Sequence, residues 1–518
     1  MTSSLPSYSL LAFSRPVSIF GLAVLLLAAP LPAHAQPATP TPPPREQLAQ
    51  AVDDAVESDT FGGGFWGVHV VNLRSGEVLH ARNAARPFVP ASNVKLATTA
   101  AALEQLGPDF RYTTTAYATG PVDDGVLRGN LIVRGAGDPS LGGYHQRRDP
   151  AQVFRQWADS LRQAGITRID GNVIGDAGPV PDPPYGHGWS WEDLSYGYGA
   201  PIGGLIFNEN TVDLTVRGRN IGQPARVELA PFKTDYVSIQ NRSRTVPTNA
   251  EDDEEYLRLP GTNTIRVRTR IHPSVVEDAT IAISDPTRYF AHSLRTVLQR
   301  NGISVDGRAA GLDAVGLTPN YRDSTYQRVA SYTSPSLAQI ARTLNHESRN
   351  LYAEQLLRTL ALEDPPDTEE DHPPGSASLG IEAVRETLVR AGVDTSRVEL
   401  ADGSGLSRQN LLSPRALVKV LQHMWEHPNS PTSTAFYDSL PQGGEDGTLA
   451  YRFRAPNAAT VHAKTGTLSQ VSALSGYTTT AQGVPVAFSI LSNHHLAESN
   501  RARAAQDAIV NAIARLPL

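Results

Sequence analysis

The feature that most constrains the fold is a change of sequence character near Phe110. Before it, two strand-like runs lead into a helical segment that begins at about Ser92. After it, short β-like runs broken by Gly and Pro continue to about Ala282. Helical periodicity dominates from Ser336 onward, before a last strand and helix. The pattern predicts one domain that is interrupted by a long β-rich insertion.

The N-terminus indicates export. Arg15 precedes an apolar run from Val17 to Ala29, and Ala33-His34-Ala35 follows as a small-x-small cleavage site. A retained membrane anchor needs about 20 apolar residues, whereas this run is shorter and ends in prolines. We expect cleavage near Gln36, a Pro-rich linker over 36–44, no remaining transmembrane anchor and a periplasmic or cell-envelope location.

Composition excludes several classes of function. The formal net charge of −7 argues against a nucleic-acid partner, which usually requires a basic face. The absence of cysteine excludes disulfides, thiol catalysis and cysteine metal sites. The 14 histidines contain no H-E-x-x-H pair, which disfavours a metallopeptidase. The sequence therefore predicts neither a metal nor a cofactor.

Lys95 lies one helical turn after a serine. The 45 basic residues include only four lysines, Lys95, Lys233, Lys419 and Lys464. Arginine stays protonated, but a buried lysine can lose its proton and act as a base. Ser92 lies three positions before Lys95, on the same helical face, so the lysine could take the serine proton. This S-x-x-K pattern is weak alone but occurs once.

Two further short motifs carry possible chemistry. Lys464-Thr465-Gly466-Thr467 lies between strand-like flanks, where Gly466 would let a ligand backbone approach and Lys464 could hold a carboxylate. The alternative is an ordinary hairpin with a surface lysine. Ser348-Arg349-Asn350 opens a helical run and offers a hydroxyl and an amide. Its alternative interpretation is a helix cap.

Together, S-x-x-K, S-x-N and K-T-G in this order resemble the signature of penicillin-binding proteins and serine β-lactamases. The long separation of Ser92 from Ser348 resembles the class C, low-molecular-mass penicillin-binding proteins, the D-Ala-D-Ala carboxypeptidase/endopeptidases of the penicillin-binding protein 4 type. Three other segments resemble this family: Gly135–Leu141, Asp402–Arg408 and Asp446–Leu449.

The resemblance implies an α/β (α+β) multidomain fold. Its catalytic domain would have an antiparallel sheet with helices, interrupted by two nested β-rich inserted domains. The expected segments are a signal peptide (1–35), the linker (36–44), the catalytic domain (45–109 and 325–518), inserted domain II (110–210 and 283–324) and inserted domain III (211–282).

The resemblance also implies roles for single residues. Ser92 would attack the carbonyl of the penultimate D-Ala, with Lys95 as its general base. Ser348 would relay a proton to the leaving amine, and Asn350 would orient the substrate amide. The N–H groups of Ser92 and Thr467 would form an oxyanion hole. Lys464 would be a catalytic residue that, with Thr465, organises charge and binds the substrate carboxylate, and Gly466 and Thr467 would also bind substrate.

The implied partners are peptidoglycan stem peptides and, as inhibitors, β-lactams, which would stay attached to Ser92. Some relatives read the diaminopimelate side chain of the stem peptide. Here Asp193 would bind its ammonium group, Tyr198 would pack on its chain, and Arg408 would meet a carboxylate. Trp189 and Trp191 are interpreted as local core packing.

Three alternatives remain open from the sequence. A β-lactamase needs an efficient deacylating group, for which no candidate is evident, and the long insertion fits it poorly. A transpeptidase would use the same acyl-enzyme with an amine in place of water. A non-catalytic wall-binding scaffold is disfavoured because the motif residues are intact.

Overall fold

The central sheet of the structure is built from both ends of the chain. The N-terminal part supplies β1 (Phe65–Asn72) and β2 (Val78–Arg82). The C-terminal part supplies β20 (Val461–Leu468), β21 (Val471–Thr479) and β22 (Pro485–Asn493). The strand order is β2-β1-β22-β21-β20, and every neighbouring pair is antiparallel. Because β1 pairs with β22, the intervening chain must leave this sheet and return to it.

This computed structural model describes residues 43–57, 61, 63–178, 180, 183–366, 372–427, 429–455 and 458–518. The predicted signal peptide and most of the predicted linker lie outside the described residues. Pro43–Leu518 forms one compact unit. Among the described residues, no helix is both long enough and apolar enough to cross a membrane.

Helices cover both faces of the central sheet. Side chains alternate across a strand, so Val68 and Val70 of β1 pack on one face and Val71 on the other. The first face is covered by α1 (Pro44–Val56) and α10 (Ser499–Ala514). The second face is covered by a helical layer: α2 (Val94–Gln105), α5 (Leu337–His346), α6 (Asn350–Glu363), α7 (Ala377–Arg390), α8 (Pro414–Trp425) and α9 (Pro431–Asp438).

Residues 113–333, here called the insert, have a hydrophobic cluster of their own that extends from Ala116 to Ala330. Stacked and edge-on rings of Phe154, Phe207 and Phe290 lie within it. Two helices, α3 (Gln152–Gln163) and α4 (Pro286–Arg300), contribute to this cluster.

The insert is otherwise formed by short strands in several sheets. These strands are β3 (Thr113–Thr119), β4 (Val122–Asp123), β5 (Val126–Leu127), β6 (Asn130–Arg134), β7 (Arg168–Ile169), β8 (Val173–Asp176), β9 (Thr211–Arg217), β10 (Arg226–Ala230), β11 (Ser238–Asn241), β12 (Arg244–Thr245), β13 (Tyr256–Arg258), β14 (Thr264–Val267), β15 (Arg270–Ile271), β16 (Val276–Ala282), β17 (Ser304–Val305), β18 (Ala309–Gly311) and β19 (Tyr326–Thr333). They form five sheets with the strand orders β18-β8-β6-β3-β19, β17-β7-β5-β4, β10-β9-β16, β11-β14-β13 and β12-β15.

The expected mixed α/β fold is confirmed. The K-T-G motif lies within β20 rather than between two strands, and β20 is an edge strand of the central sheet. Asn350 begins α6, as the S-x-N interpretation expects. Ser92 lies just before α2, in a 3-10 turn over Ala91–Asn93. The exact boundaries of the inserted domains stay a prediction.

Candidate active site

The turn before α2 presents Ser92. Ala91 adopts a left-handed backbone with φ 47°, which an L side chain rarely does, and the chain then turns into the helix. Lys95 follows one turn later on the same face, and its Nζ donates a hydrogen bond to Ser92 Oγ over 2.9 Å. Asn93 donates to the backbone carbonyl of Lys464 over 3.1 Å and ties this turn to β20. The first motif and the third are therefore in direct contact.

The amine of Lys95 is completely buried. It also donates to Asn350 Oδ1 over 2.7 Å and to the Ser404 carbonyl over 2.5 Å. Burial disfavours the charged ammonium and lowers the pKa of Lys95 to about 7, although the carboxylates of Asp402 and Glu354 act in the opposite direction. A neutral amine is therefore available near neutral pH.

Ser348 and Lys464 form a second hydroxyl–amine pair. Lys464 Nζ donates to Ser348 Oγ over 2.8 Å and to the Thr465 carbonyl over 2.8 Å. Burial, followed by the charge of Lys95, holds the pKa of Lys464 well below its usual value. Ser348 has a left-handed backbone with φ 56°, the kind of strained geometry that occurs at functional sites.

Gly466 allows β20 to approach the Ser92 turn. A Cβ atom at this position would lie 3.0 Å from the backbone nitrogen of Ser92 and 3.0 Å from the carbonyl of Pro90. The sequence suggested that this glycine makes room for a ligand, whereas in the fold it makes room for the protein's own backbone. Next to it, Thr465 donates to Thr448 Oγ1 over 2.8 Å.

A cavity of ≈ 480 Å³ opens above Ser92. The main region and the insert both line it, with Ser92, Ser348, Asn350, Gly405, Leu406, Arg408, Thr467, Leu468 and Ser469 from the former and Gly188, Ser190, Glu192, Asp193 and Tyr198 from the latter. Lys95 and Lys464 are fully buried behind this lining, and Thr465 and Gly466 precede Thr467 in β20. The structure thus brings together all of the residues that the sequence proposed, in two layers.

The insert contacts the motif residues directly. Asn350 Nδ2 donates to the Tyr198 carbonyl over 2.9 Å, and Tyr198 OH donates to Asp193 Oδ1 over 3.2 Å. Arg408, which the sequence assigned to a carboxylate, donates to the Ser469 carbonyl over 2.5 Å at the cavity edge. The side chains of Asp193, Tyr198 and Arg408 are therefore placed where a ligand in the cavity would meet them.

The two tryptophans of the insert differ. Trp189 packs on an apolar cluster of Ile202, Ile206 and Leu351, and its indole N–H donates to Asp402 Oδ2 over 2.9 Å. Core packing thus describes only part of its role. Trp191 is 65 % exposed, so the interpretation as core packing is wrong for this residue. Its neighbours Ser190 and Glu192 both line the cavity.

Sequence reasoning missed the residues that support Lys95. Glu354 accepts hydrogen bonds from the Gly403 and Ser404 N–H groups over 3.0 and 2.9 Å, and Asp402 accepts from Gly405 and Ser407 over 2.7 Å each. The sequence held one signal for Glu354: it is an acid within the mostly apolar run that forms α6, and the structure shows that it is buried there.

Comparison with known proteins identifies the family. The pattern of the family described as "D-Ala-D-Ala carboxypeptidase 3 (S13)" matches residues 48–516. The chain belongs to this family. A D-alanyl-D-alanine carboxypeptidase of Actinomadura sp. (strain R39) is 32% identical over 463 residues, which cover 87% of this chain and 81% of the relative. The expected carboxypeptidase class is thereby confirmed.

Two further comparisons agree. The D-alanyl-D-alanine carboxypeptidase DacB of Haemophilus influenzae is 27% identical over 429 residues, covering 80% of this chain and 83% of the relative. The crystal structure of penicillin binding protein 4 (dacB) from the same organism superposes with a TM-score of 0.74 at 24% identity, covering 88% of this chain and 97% of that one. That likeness confirms the fold.

Proposed function

We propose that this S13-family protein is a serine-type D-Ala-D-Ala carboxypeptidase that acts on peptidoglycan stem peptides through an acyl-Ser92 intermediate. The observation that carries the proposal is the 2.9 Å contact between Ser92 Oγ and the buried amine of Lys95 at the floor of the cavity. A hydroxyl next to a neutral amine is an activated nucleophile.

In the first step, Ser92 Oγ attacks the carbonyl carbon of the penultimate D-Ala and Lys95 Nζ takes the hydroxyl proton. The negative charge that develops on the carbonyl oxygen is stabilised by the N–H groups of Ser92 and Thr467. The C–N bond then breaks, and the proton that Lys95 took passes through Ser348, which is hydrogen-bonded to Lys464, to the leaving amine of the terminal D-Ala, so that Lys95 is neutral again. Free D-Ala and an ester on Ser92 result.

In the second step, water attacks the ester carbonyl, and Lys95 accepts a proton from this water. The ester bond to Ser92 Oγ then breaks, Lys95 returns the proton to this oxygen, and the shortened peptide is released with a free carboxylate. We extend the proposal to DD-endopeptidase activity on cross-links, because the acyl donor is the same D-Ala carbonyl and only the leaving amine differs.

For Lys464 we propose a role other than holding the substrate carboxylate. Its amine is buried behind Ser348, which it contacts, and does not line the cavity. We therefore propose that Lys464 assists the proton transfer from Ser348 to the leaving amine. Arg408 and Thr467, which line the cavity, would bind the terminal carboxylate of the substrate. Asp193 would bind a side-chain ammonium of the stem peptide, and Tyr198 would pack on the same side chain.

A β-lactam would acylate Ser92 in the same way, because its ring amide presents the same kind of carbonyl, and its amine would stay tethered. A crystal structure of the Haemophilus influenzae relative contains a β-lactam. We also propose export across the inner membrane, on the basis of the apolar run over 17–29, which lies outside the described residues.

The decisive experiment incubates the purified mature protein and a Ser92→Ala variant with a fluorescent penicillin, and follows D-Ala release from a peptide ending in D-Ala-D-Ala. We expect covalent label and D-Ala release from the wild type and neither from the variant. A folded wild type that takes no label would contradict the proposal and favour a wall-binding scaffold. Label with rapid turnover of penicillin but no D-Ala release would favour a β-lactamase.

A further inference from the structure

The loop Asp402–Gly405 lies between two helices and holds the amine of Lys95 from behind. On one side, Thr98 of α2 donates to the Gly403 carbonyl over 2.8 Å and Lys95 donates to the Ser404 carbonyl over 2.5 Å. On the other side, Glu354 Oε1 accepts the N–H groups of Gly403 and Ser404. The position of the Ser404 carbonyl, and with it that of the lysine amine, therefore depends on Glu354.

Glu354 lies one turn after Asn350 in α6, so both side chains share a face of that helix. Asn350 contacts the lysine amine directly, and Glu354 contacts it through the loop. The loop also approaches the nucleophile, because a Cβ atom on Gly405 would lie 1.9 Å from the Ala91 carbonyl. A small shift of this loop would thus move both Lys95 and the Ser92 turn.

Packing alone does not explain a carboxylate at this position. Glu354 is 1% exposed, and its Oε2 has no hydrogen-bond partner among the described residues. Burying a charge in this way costs free energy. Burial, followed by the charge of Asp402, raises the pKa of Glu354 to about 7, whereas the charge of Arg358 one turn later lowers it, so the carboxyl group is ionised on the alkaline side of this value.

We propose that Glu354 is a positioning residue for Lys95, which fixes the Ser404 carbonyl against the lysine amine and, in its ionised form, supplies negative charge that shifts the pH range in which this amine accepts the serine proton. The charged groups that face this amine are Glu354 and Asp402, with Lys464 across from it and Arg358 beyond Glu354. This inference rests on the proposed function of Lys95 as the base.

The test measures the rate of acylation by penicillin between pH 5 and 9 for the wild type and for Glu354→Gln. Glutamine can still accept both N–H groups but carries no charge, so the ammonium of Lys95 loses stabilisation. We expect the acid limb of the profile to move to lower pH by about one unit. Glu363→Gln is the matched control, because Glu363 is an exposed acid at the end of the same helix, and its profile should be unchanged.

Glu354→Asp separates charge from position. It keeps the carboxylate but is too short to hold both N–H groups, so we expect the plateau rate to fall about tenfold while the acid limb stays in place. A folded Glu354→Gln variant with an unshifted acid limb would overturn the proposal. If that variant does not fold, a wild-type rate in Glu354→Asp would overturn it and a tenfold loss would support it. A wild type that is not acylated at all would instead overturn the proposed function.

Discussion

The two walls of the cavity above Ser92 are constructed differently. The wall formed by the main region, here called the closed wall, is backed by Lys95 and Lys464, which are fully buried and whose amines each make two or more hydrogen bonds. The wall formed by the insert is open, and Tyr198 is 48 % exposed. Buried contacts fix geometry closely and shift pKa values, whereas exposed groups can meet ligands of different shape. The difference suggests that the main region carries out the reaction and the insert selects the substrate.

The comparison is tested most strongly at the closed wall. Lys95→Met removes the base while keeping most of the side-chain volume, and we expect the rate of acylation by penicillin to fall by about a thousandfold. Lys233→Met is the matched control, because Lys233 is an exposed lysine of the insert. Stopped-flow or gel-based labelling measures both rates. Acylation of a folded Lys95→Met variant at a rate within tenfold of the wild type would exclude Lys95 as the base.

The closed wall also predicts a pH dependence. The pKa of Lys95 is about 7, and only its neutral form accepts the serine proton. The acylation rate should therefore rise with pH, reach half of its plateau near pH 7 and be about a hundredfold below the plateau at pH 5. Rates measured with a penicillin that is stable over this range test the prediction. A profile that is flat from pH 5 to pH 8 would contradict it.

The open wall predicts an effect on substrate choice alone. Asp193→Asn removes the charge that would meet a side-chain ammonium, and we expect kcat/KM to fall about tenfold for stem peptides that carry this group. Acylation by penicillin, which lacks it, should be unchanged. Glu192→Gln provides the comparison, because Glu192 is the neighbouring acid that also lines the cavity. An equal loss with penicillin would show that Asp193 affects the acylation step itself and not only the choice of substrate.

The smallest predicted effect concerns the attachment of the insert to the loop behind Lys95. Trp189→Phe keeps an aromatic ring but removes the N–H group that donates to the buried carboxylate of Asp402. We expect the free energy of unfolding to fall by about 1–2 kcal/mol. Trp191→Phe, at an exposed position, should change it by less than about 0.5 kcal/mol. Urea unfolding curves measure both, and equal values would mean that the hydrogen bond contributes nothing to stability.

Local sequence predicted the motif geometry well. Ser92 and Lys95 are three positions apart in a helical segment, and this spacing alone places the hydroxyl and the amine on one face. Asn350 begins a helix, as the pattern indicated, whereas the K-T-G motif lies within β20 and not between two strands. The two helical features were predictable because they depend on interactions between residues that are close in the chain.

The supporting contacts were not predictable in this way. Glu354 and Ser404 are separated by 50 positions, and Trp189 and Asp402 by 213. Neither pair has a spacing rule, because partners this distant meet only after the sheet and the insert have folded. The burial of Lys464 behind Ser348 is of the same kind, since it depends on how β20 packs against the start of α6.

The sequence by itself therefore determined the family, the order of the three motifs and the residue types that the reaction requires. Only the tertiary structure decided which of them line the cavity, which lie behind it and which buried acids surround the amine of Lys95. The physical reason is that hydrogen-bonding partners along a helix or strand are encoded by local spacing, whereas burial, and the pKa shifts that follow from it, depend on long-range packing.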